Sequence, residues 1–150
     1  MRKWIVYILI IGVVWVVPTE RMDVGKLRPV QVVSLYRENG QIVIETDTRD
    51  RGAGLTPTQA LADLEDTTPG VIYLDTAQYL LVAEDALDLP EAFRGELKQS
   101  VQMCLQQGKI DISETAQYLS AHGQMPRLKN WKRGVALPTL RVKNKRLFLS

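Results

Sequence analysis

The sequence predicts an α+β domain, with a small mixed or antiparallel sheet and two to three helices, preceded by an N-terminal membrane-anchoring helix. Three observations support this prediction. An unbroken apolar run occupies residues 4–17, β-branched runs flank Asn39-Gly40, and capped helical patterns alternate with short apolar runs further on. Strands mixed with separate helices are typical of α+β domains. The 150 residues are enough for one core without the apolar run.

The apolar run follows Arg2 and Lys3 and contains no charged side chain. As a helix, its 14 residues would extend about 21 Å, against about 30 Å of bilayer hydrocarbon. The boundary near Pro18 lacks both the small residues that cleavage requires and a cysteine for lipidation. A retained anchor is therefore favoured over a cleaved signal and over a buried core helix, which stay open. Its residues are Trp4, Ile5, Val6, Tyr7, Ile8, Leu9, Ile10, Ile11, Val13, Val14, Trp15, Val16 and Val17.

The positive charges before the run predict the topology of the chain. Because cationic flanks stay in the cytoplasm, residues 19–150 are expected on the other side of the membrane. Residues 1–18 then form the anchor or uncleaved signal. Residues 19–150 form the extracytoplasmic domain, which ends in a basic hairpin region at about 124–150.

The segment at residues 28–48 predicts a β-hairpin, since Asn39-Gly40 suits a type I′ turn between two β-branched runs. One face of this hairpin is expected to carry Val30, Val32, Tyr36, Ile42 and Ile44. The following "DTRDRGAG", residues 47–54, predicts a mobile surface loop. A phosphate-binding loop is disfavoured there, because no Gly-Lys-Ser/Thr ending is present.

Thr56, Pro57 and the later Pro69-Gly70 predict a short capped helix. The apolar runs at residues 71–74 and 77–83 predict one or two central strands.

A long helix is expected from Pro90 to about Gln107, with an apolar stripe of Phe93, Leu97, Val101 and Cys104. A further helix is predicted within residues 111–123, where Asp111 and Glu114 have capping-box spacing. A second hairpin is predicted around residues 143–145, and Pro138 would confine its strand to an edge or a bulge.

The reactive residues do not suggest an active site. Cys104 is expected to be a buried, inert thiol, and His122 to have a structural role at a helix end. Asp75 and Thr76 are expected to form a turn rather than a nucleophilic site. The pair Asp63 and Asp66 is expected to be solvated. No catalytic, metal-binding or cofactor-binding residue is assigned.

The charge distribution suggests a partner. All 17 acidic residues lie between Glu20 and Glu114, so the basic C-terminal part contains no acid. Trp131 among these cations allows a nucleic-acid interpretation, but the membrane segment favours anionic lipid headgroups, an acidic protein surface or the acidic body of this chain. A merely solvated basic hairpin is the remaining alternative. The basic residues are Arg127, Lys129, Lys132, Arg133, Arg141, Lys143, Lys145 and Arg146.

Several of these segments together resemble a known family. The order of "VVSLYRENGQIVIETDT", "GLTPTQALADLE", "VIYLDTAQYLLVAEDAL" and "GVALPTLRVKNKRLFLS" after a membrane-targeting start is similar to the N-terminal part of the C subunit of bacterial spore germinant receptors. The resemblance runs from about Arg28 to the end, and it includes a strand that ends at the acid Glu84. The chain lacks the lipoprotein cysteine of that family near Pro18, and it ends before the family's later domains.

The resemblance implies a non-catalytic subunit on the outer face of the bacterial inner membrane, connected with sporulation or spore germination. Together with the anchor, it leads to the expectation of a single-pass, membrane-anchored interaction or assembly domain whose partners are other membrane or envelope proteins. The alternative expectation is an anion-binding module that uses the basic C-terminal region on lipid headgroups or polyanions. Nucleic acid is not the expected partner.

Overall fold

A computed structural model describes residues 27–150. Seven strands form a mixed sheet in the order β4-β3-β2-β6-β7-β8-β9, and β1 and β5 form a separate two-stranded parallel sheet. The predicted α+β class is confirmed, and of the predicted alternatives the described residues form a mixed sheet and three α-helices. Residues 27–150 contain nine strands, namely β1 (Leu27–Pro29), β2 (Val32–Glu38), β3 (Gln41–Thr46), β4 (Arg51–Gly54), β5 (Val71–Tyr73), β6 (Tyr79–Ala83), β7 (Gln102–Gln107), β8 (Thr139–Lys143) and β9 (Arg146–Leu149). The helices are α1 (Pro57–Thr67), α2 (Leu89–Ala92) and α3 (Thr115–Ser120).

The predicted membrane anchor lies outside the described residues. Within residues 27–150, none of the helices is both long and apolar enough to cross a bilayer.

The sheet carries a hydrophobic core on each of its two faces. Strands β2, β6, β7 and β8 are parallel, and β3 and β9 run against their neighbours. The face covered by α1, here called the α1 face, buries Leu35, Ile44, Leu80, Met103 and Phe93. The opposite face, called the α3 face, buries Val32, Leu81, Cys104, Leu119 and Leu140. The core therefore lies in two layers, one on either side of a central parallel region.

The predicted first hairpin is confirmed, but its face assignment is wrong. Asn39 and Gly40 have φ values of 51° and 77°, as a type I′ turn requires. This two-residue turn sets Glu38 opposite Gln41, and therefore Leu35 opposite Ile44. The expected set Val30, Val32, Tyr36, Ile42 and Ile44 does not share a face, because Val32 and Tyr36 lie on the α3 face and the two isoleucines on the α1 face.

The predicted mobile loop at residues 47–54 is instead partly the edge strand β4. Cβ atoms built on Gly52 and Gly54 would lie 2.4 Å from the Ala60 carbonyl oxygen and 2.6 Å from the Ala60 nitrogen, respectively. The two glycines are therefore needed because the α1 backbone packs directly on β4, not because the segment is loose. Thr56 is the N-cap of α1, as predicted, and its Oγ1 accepts from the Gln59 N–H at 3.2 Å.

Side chains of α1 also form hydrogen bonds with backbone groups along the outer edge of β4. The Ala53 N–H donates to Asp63 Oδ2 at 2.8 Å, and Thr67 Oγ1 donates to the Arg51 carbonyl at 2.9 Å. Asp63 is thus not the solvated surface acid that was expected. We call this side of the sheet the closed edge.

The prediction of a long helix at residues 90–107 is wrong. Helix α2 ends at Ala92, and the chain then turns and enters strand β7. Met103 is buried on the α1 face and Cys104 on the α3 face, so the apolar side chains alternate rather than form a stripe. Pairing with β6 on one side and β8 on the other decides the structure, because it satisfies the backbone of a central strand.

The predicted central strands and the last two elements are largely as expected. β6 is central, whereas β5 lies outside the main sheet. Asp111 Oδ1 accepts from the Ser113 N–H at 3.0 Å, at the start of a 3₁₀ turn that leads into α3.

The second hairpin is confirmed, with Asn144 and Lys145 at φ values of 52° and 61°. The expectation that Pro138 confines its strand to an edge or a bulge is wrong. Pro138 precedes β8, so its missing N–H costs no ladder bond, and its carbonyl accepts from the Leu105 N–H at 2.8 Å. The edge strand is β9.

Candidate functional site

The outer side of β9 is the second edge of the sheet. Thr139 and Ser150 exchange both backbone hydrogen bonds, at 2.8 and 3.0 Å. Because hydrogen-bonded pairs alternate along an antiparallel ladder, Leu147 and Leu149 direct their backbone groups away from β8. The Leu149 N–H donates to the Tyr118 hydroxyl at 3.1 Å, while the Leu147 N–H and carbonyl have no partner within residues 27–150. We call this side the open edge.

The two faces of the β8–β9 hairpin differ in chemistry. Leu140 is buried in the α3-face core, and Leu147 and Leu149 pack partly against that core. The other face continues the α1 face and presents exposed side chains. It carries the cations Arg141, Lys143 and Arg146 together with Phe148.

Two apolar side chains of this hairpin remain open to solvent. Phe148 is 49% exposed and Val142 is 47% exposed. The Arg141 guanidinium carbon lies 5.7 Å from the Phe148 ring centroid, which is within cation–π range. The side of the hairpin that carries Arg141 therefore combines positive charge with the accessible Phe148 ring, whereas Val142, which pairs with Leu147, lies on the opposite side.

The structure separates the eight predicted basic residues into two groups. Four lie on the β8–β9 hairpin, which we call the basic hairpin, and four lie in the irregular segment before it. No side chain of the basic hairpin forms a salt bridge with an acid of the described part of the chain. The basic hairpin carries Arg141, Lys143, Lys145 and Arg146, and the preceding segment carries Arg127, Lys129, Lys132 and Arg133.

The preceding segment is tied to the body of the domain. Arg127 forms an antiparallel bridge with Gln102, and the Lys129 N–H donates to the Gln99 carbonyl at 3.0 Å. Arg37, through a bidentate ion pair, holds the pKa of the Asp88 carboxyl below its usual range, and Arg133 adds a smaller effect. Arg133 therefore lies near an acid of the domain, whereas the basic hairpin is left without such a partner.

Trp131 cannot act as an exposed stacking platform among these cations. Its side chain is only 4% exposed and belongs to the α1-face core. Trp131 therefore packs in the core and cannot stack on a base, which removes the support for a nucleic-acid interpretation.

A cavity of about 290 Å³ opens where the parallel strands β2, β6 and β7 end. Its lining includes Ser34, Tyr36, Glu45, Gln106 and Lys109. The Tyr36 hydroxyl donates to Glu45 Oε2 at 3.0 Å, and burial together with this carboxylate raises the pKa of Tyr36 to about 12. The Ser34 hydroxyl donates to Gln106 Oε1. The sequence alone does not reveal this site, because only the sheet pairing brings these residues together.

The cavity can bind a polar group but offers a weakly reactive environment. With its raised pKa, the Tyr36 phenol stays protonated at neutral pH and can only act as a hydrogen-bond donor or acceptor. The partner of the Ser34 hydroxyl is an amide oxygen, which is not a base that could activate it.

The remaining reactive side chains are either buried or hydrogen-bonded to the backbone. Cys104 is buried, as expected, and burial raises the pKa of its thiol to about 12. His122 follows α3, and its Nδ1 lies 2.8 Å from the Tyr118 carbonyl oxygen. Thr76 forms the predicted side-chain-to-backbone hydrogen bonds, since its Oγ1 accepts from the Val30 N–H at 3.0 Å and donates to the Tyr73 carbonyl at 2.7 Å, in a 3₁₀ turn that also contains Asp75. Within residues 27–150, no three His, Cys, Asp or Glu side chains are grouped so as to hold a metal ion.

Comparisons with known protein families, with curated proteins and with solved structures found no match for this chain.

Proposed function

We propose that this chain is a membrane-anchored, non-catalytic interaction domain on the outer face of the bacterial inner membrane. Residues 4–17 would hold it in the bilayer, and the basic hairpin would bind an acidic surface of another envelope protein. The observation that carries the proposal is the hairpin itself. Its α1-face side combines cations that lack acidic partners in the described chain with Phe148, which is about half exposed.

Such a surface favours association with a partner in two ways. Unpaired charges of one sign attract an oppositely charged partner and raise the rate of encounter. Adjacent apolar area then becomes buried in the complex, which adds affinity that charge alone does not give. The segment before the hairpin is a poorer candidate, because Arg133 lies next to acids of its own domain and the backbone of Lys129 is bonded to the body of the domain.

The surroundings of Ser34, Thr76 and Cys104 support the non-catalytic part of the proposal. Ser34 is hydrogen-bonded to an amide, Thr76 to backbone groups, and Cys104 is buried. None of these arrangements supplies the adjacent base that a nucleophile requires.

Cell fractionation tests the membrane part. We expect the native protein in the inner-membrane fraction, with a mass that includes residues 1–18. A control chain with Ile8 and Val13 replaced by aspartate should become soluble, because charges at the bilayer centre are costly. A mature native protein that begins near Thr19 would contradict the anchor.

Photocrosslinking in cells tests the partner-binding part. A photoreactive residue at position 148 should crosslink to an envelope protein, and Arg141→Glu with Arg146→Glu should abolish that crosslink. The matched control, Lys129→Glu with Lys132→Glu, makes the same change of charge in the other group and should leave it intact. Equal loss in both double variants would show a general charge effect rather than a specific surface.

A second candidate partner is the anionic lipid headgroup, which the exposed Phe148 beside cations also suits. The chain would then bind vesicles that contain phosphatidylglycerol but not neutral vesicles, and salt would weaken this binding steeply. Crosslinking of position 148 to protein, without vesicle binding by the domain, would remove this candidate.

The link to spore germination rests on the resemblance of the sequence alone. Adjacent genes for a multi-span receptor subunit would support this part of the proposal. Their absence, with normal germination of a deletion strain, would contradict it without affecting the membrane-anchored interaction domain.

A further inference from the structure

We propose that the open edge of β9 binds an extended acidic segment of a partner protein, which adds to the sheet as an eighth strand. This inference rests on the proposed function and specifies the class of partner. Three properties of the edge carry it: the free backbone groups of Leu147, the cations beside them, and the difference between the two faces of the hairpin.

The backbone supplies the means of attachment. The outward N–H and carbonyl of Leu147 can exchange both hydrogen bonds with one residue of an added strand, as in an antiparallel ladder. The outward carbonyl of Leu149 offers a second acceptor. Its N–H already donates to Tyr118, so the added strand is centred on Leu147.

The side chains decide which strand fits. Residues of an added strand that point to the α1 face would lie beside Arg146 and Phe148, with Arg141 and Lys143 one strand further in. Opposite charges at neighbouring positions of a sheet are favourable, so acids are expected there. Residues on the other face would lie beside Leu147 and Leu149, where apolar side chains continue the α3-face core.

The partner segment is therefore one in which acidic and apolar side chains alternate. A second copy of β9 is disfavoured as the occupant, because an antiparallel pair would place Arg141, Lys143 and Arg146 of both copies on one face with no acid among them. The hairpin cations would protect the edge from such self-association while leaving it open to an acidic strand.

A peptide-binding experiment on the full chain in neutral nanodiscs tests the inference. The probe is an eight-residue capped peptide that alternates glutamate and valine, and the control peptide has the same composition with its four glutamates in one block. We expect the alternating peptide to bind about tenfold more tightly, because only that pattern satisfies the edge and both faces together. Both affinities should fall with salt.

The variant Leu147→Pro separates strand addition from simple charge attraction. Proline removes the outward N–H without removing a bond to β8, so the hairpin can stay intact. It should lower the affinity for the alternating peptide about tenfold, whereas Leu147→Ala should change it less than about threefold, since the N–H remains. Circular dichroism of both variants verifies the fold.

Amide hydrogen exchange of the unmodified chain gives an independent measurement. The Leu147 amide should become protected when the alternating peptide is bound. Equal affinity for the two peptides, or no new protection of Leu147, would overturn strand addition but leave the proposed binding of an acidic protein surface standing. If neither peptide bound, even at low salt, both proposals would fail.

Discussion

The two edges of the seven-stranded sheet differ in whether their outward backbone groups are hydrogen-bonded within the domain. At the closed edge, α1 lies directly on β4, and Asp63 and Thr67 hydrogen-bond outward backbone groups of that strand. At the open edge, β9 carries Arg146 and an exposed Phe148, and Leu147 has free backbone groups within the described part of the chain. Exposed edges invite pairing with other chains. The difference indicates that one edge serves the stability of the domain and the other is available for a partner.

The largest expected effect is at the closed edge. Gly52→Ala would place a Cβ atom 2.4 Å from both the Ala60 carbonyl oxygen and the Leu64 nitrogen, so helix and strand would have to separate. We expect a loss of about 3 kcal/mol of unfolding free energy, measured by urea denaturation. Gly95→Ala is the matched control, because nothing lies within 4 Å of its added methyl group. Equal effects of the two substitutions would show that the close packing of α1 on β4 is unimportant.

Backbone exchange should distinguish the two edges without any substitution. The Ala53 N–H is bonded to Asp63, whereas the Leu147 N–H faces outward without a partner in residues 27–150. In the free protein, the Leu147 amide should exchange about 100-fold faster after correction for intrinsic rates. Nuclear magnetic resonance of the free protein measures both amides. Strong protection of Leu147 would mean that the open edge is already covered.

Loss of the Asp63 carboxylate should weaken the closed edge moderately. Asp63→Ala leaves the Ala53 N–H without its acceptor, and we expect a loss of about 1.5 kcal/mol in unfolding free energy. Asp66→Ala, on the exposed side of the same helix, should change stability by less than about 0.5 kcal/mol. If both aspartates had the same small effect, the hydrogen bond from the Ala53 N–H to Asp63 would contribute nothing measurable to the unfolding free energy.

The smallest effect on folding is expected at the open edge. Arg146→Glu should change the unfolding free energy by less than about 0.5 kcal/mol, because the exposed arginine has no salt-bridge partner in the described chain. The neutral Arg146→Gln serves as its control. A loss comparable to that of Gly52→Ala would show that Arg146 supports the fold, and would argue against a surface kept free for a partner.

Much of the local structure could be predicted from the chain. Asn39-Gly40 set the first hairpin because few residue pairs tolerate two successive positive φ values. Thr56 and Pro57 set the start of α1, since capping and a fixed proline φ act within one turn. The basic C-terminal part was equally visible from its composition.

The predictions of local structure were wrong where segments distant in the chain decide that structure. Phe93, Leu97 and Val101 have helical spacing, yet the chain enters β7 because β6 and β8 pair with it on both sides. Gly52 and Gly54 suggested a loose loop, yet they allow α1 to approach β4. The attachment of Arg127 and Lys129 to residues 99–102 and the cavity beside Tyr36 depend on which segments are neighbours, so neither could be predicted.

The sequence by itself determined the turns, the caps, the apolar run at residues 4–17 and the separation of acidic from basic regions, because these depend on neighbouring residues and composition. Only the tertiary structure decided which segments became central strands, which edge was sealed and which remained open. The reason is that a strand gains its hydrogen bonds from residues far away in the chain, so the identity of its neighbours cannot be inferred from its own residues.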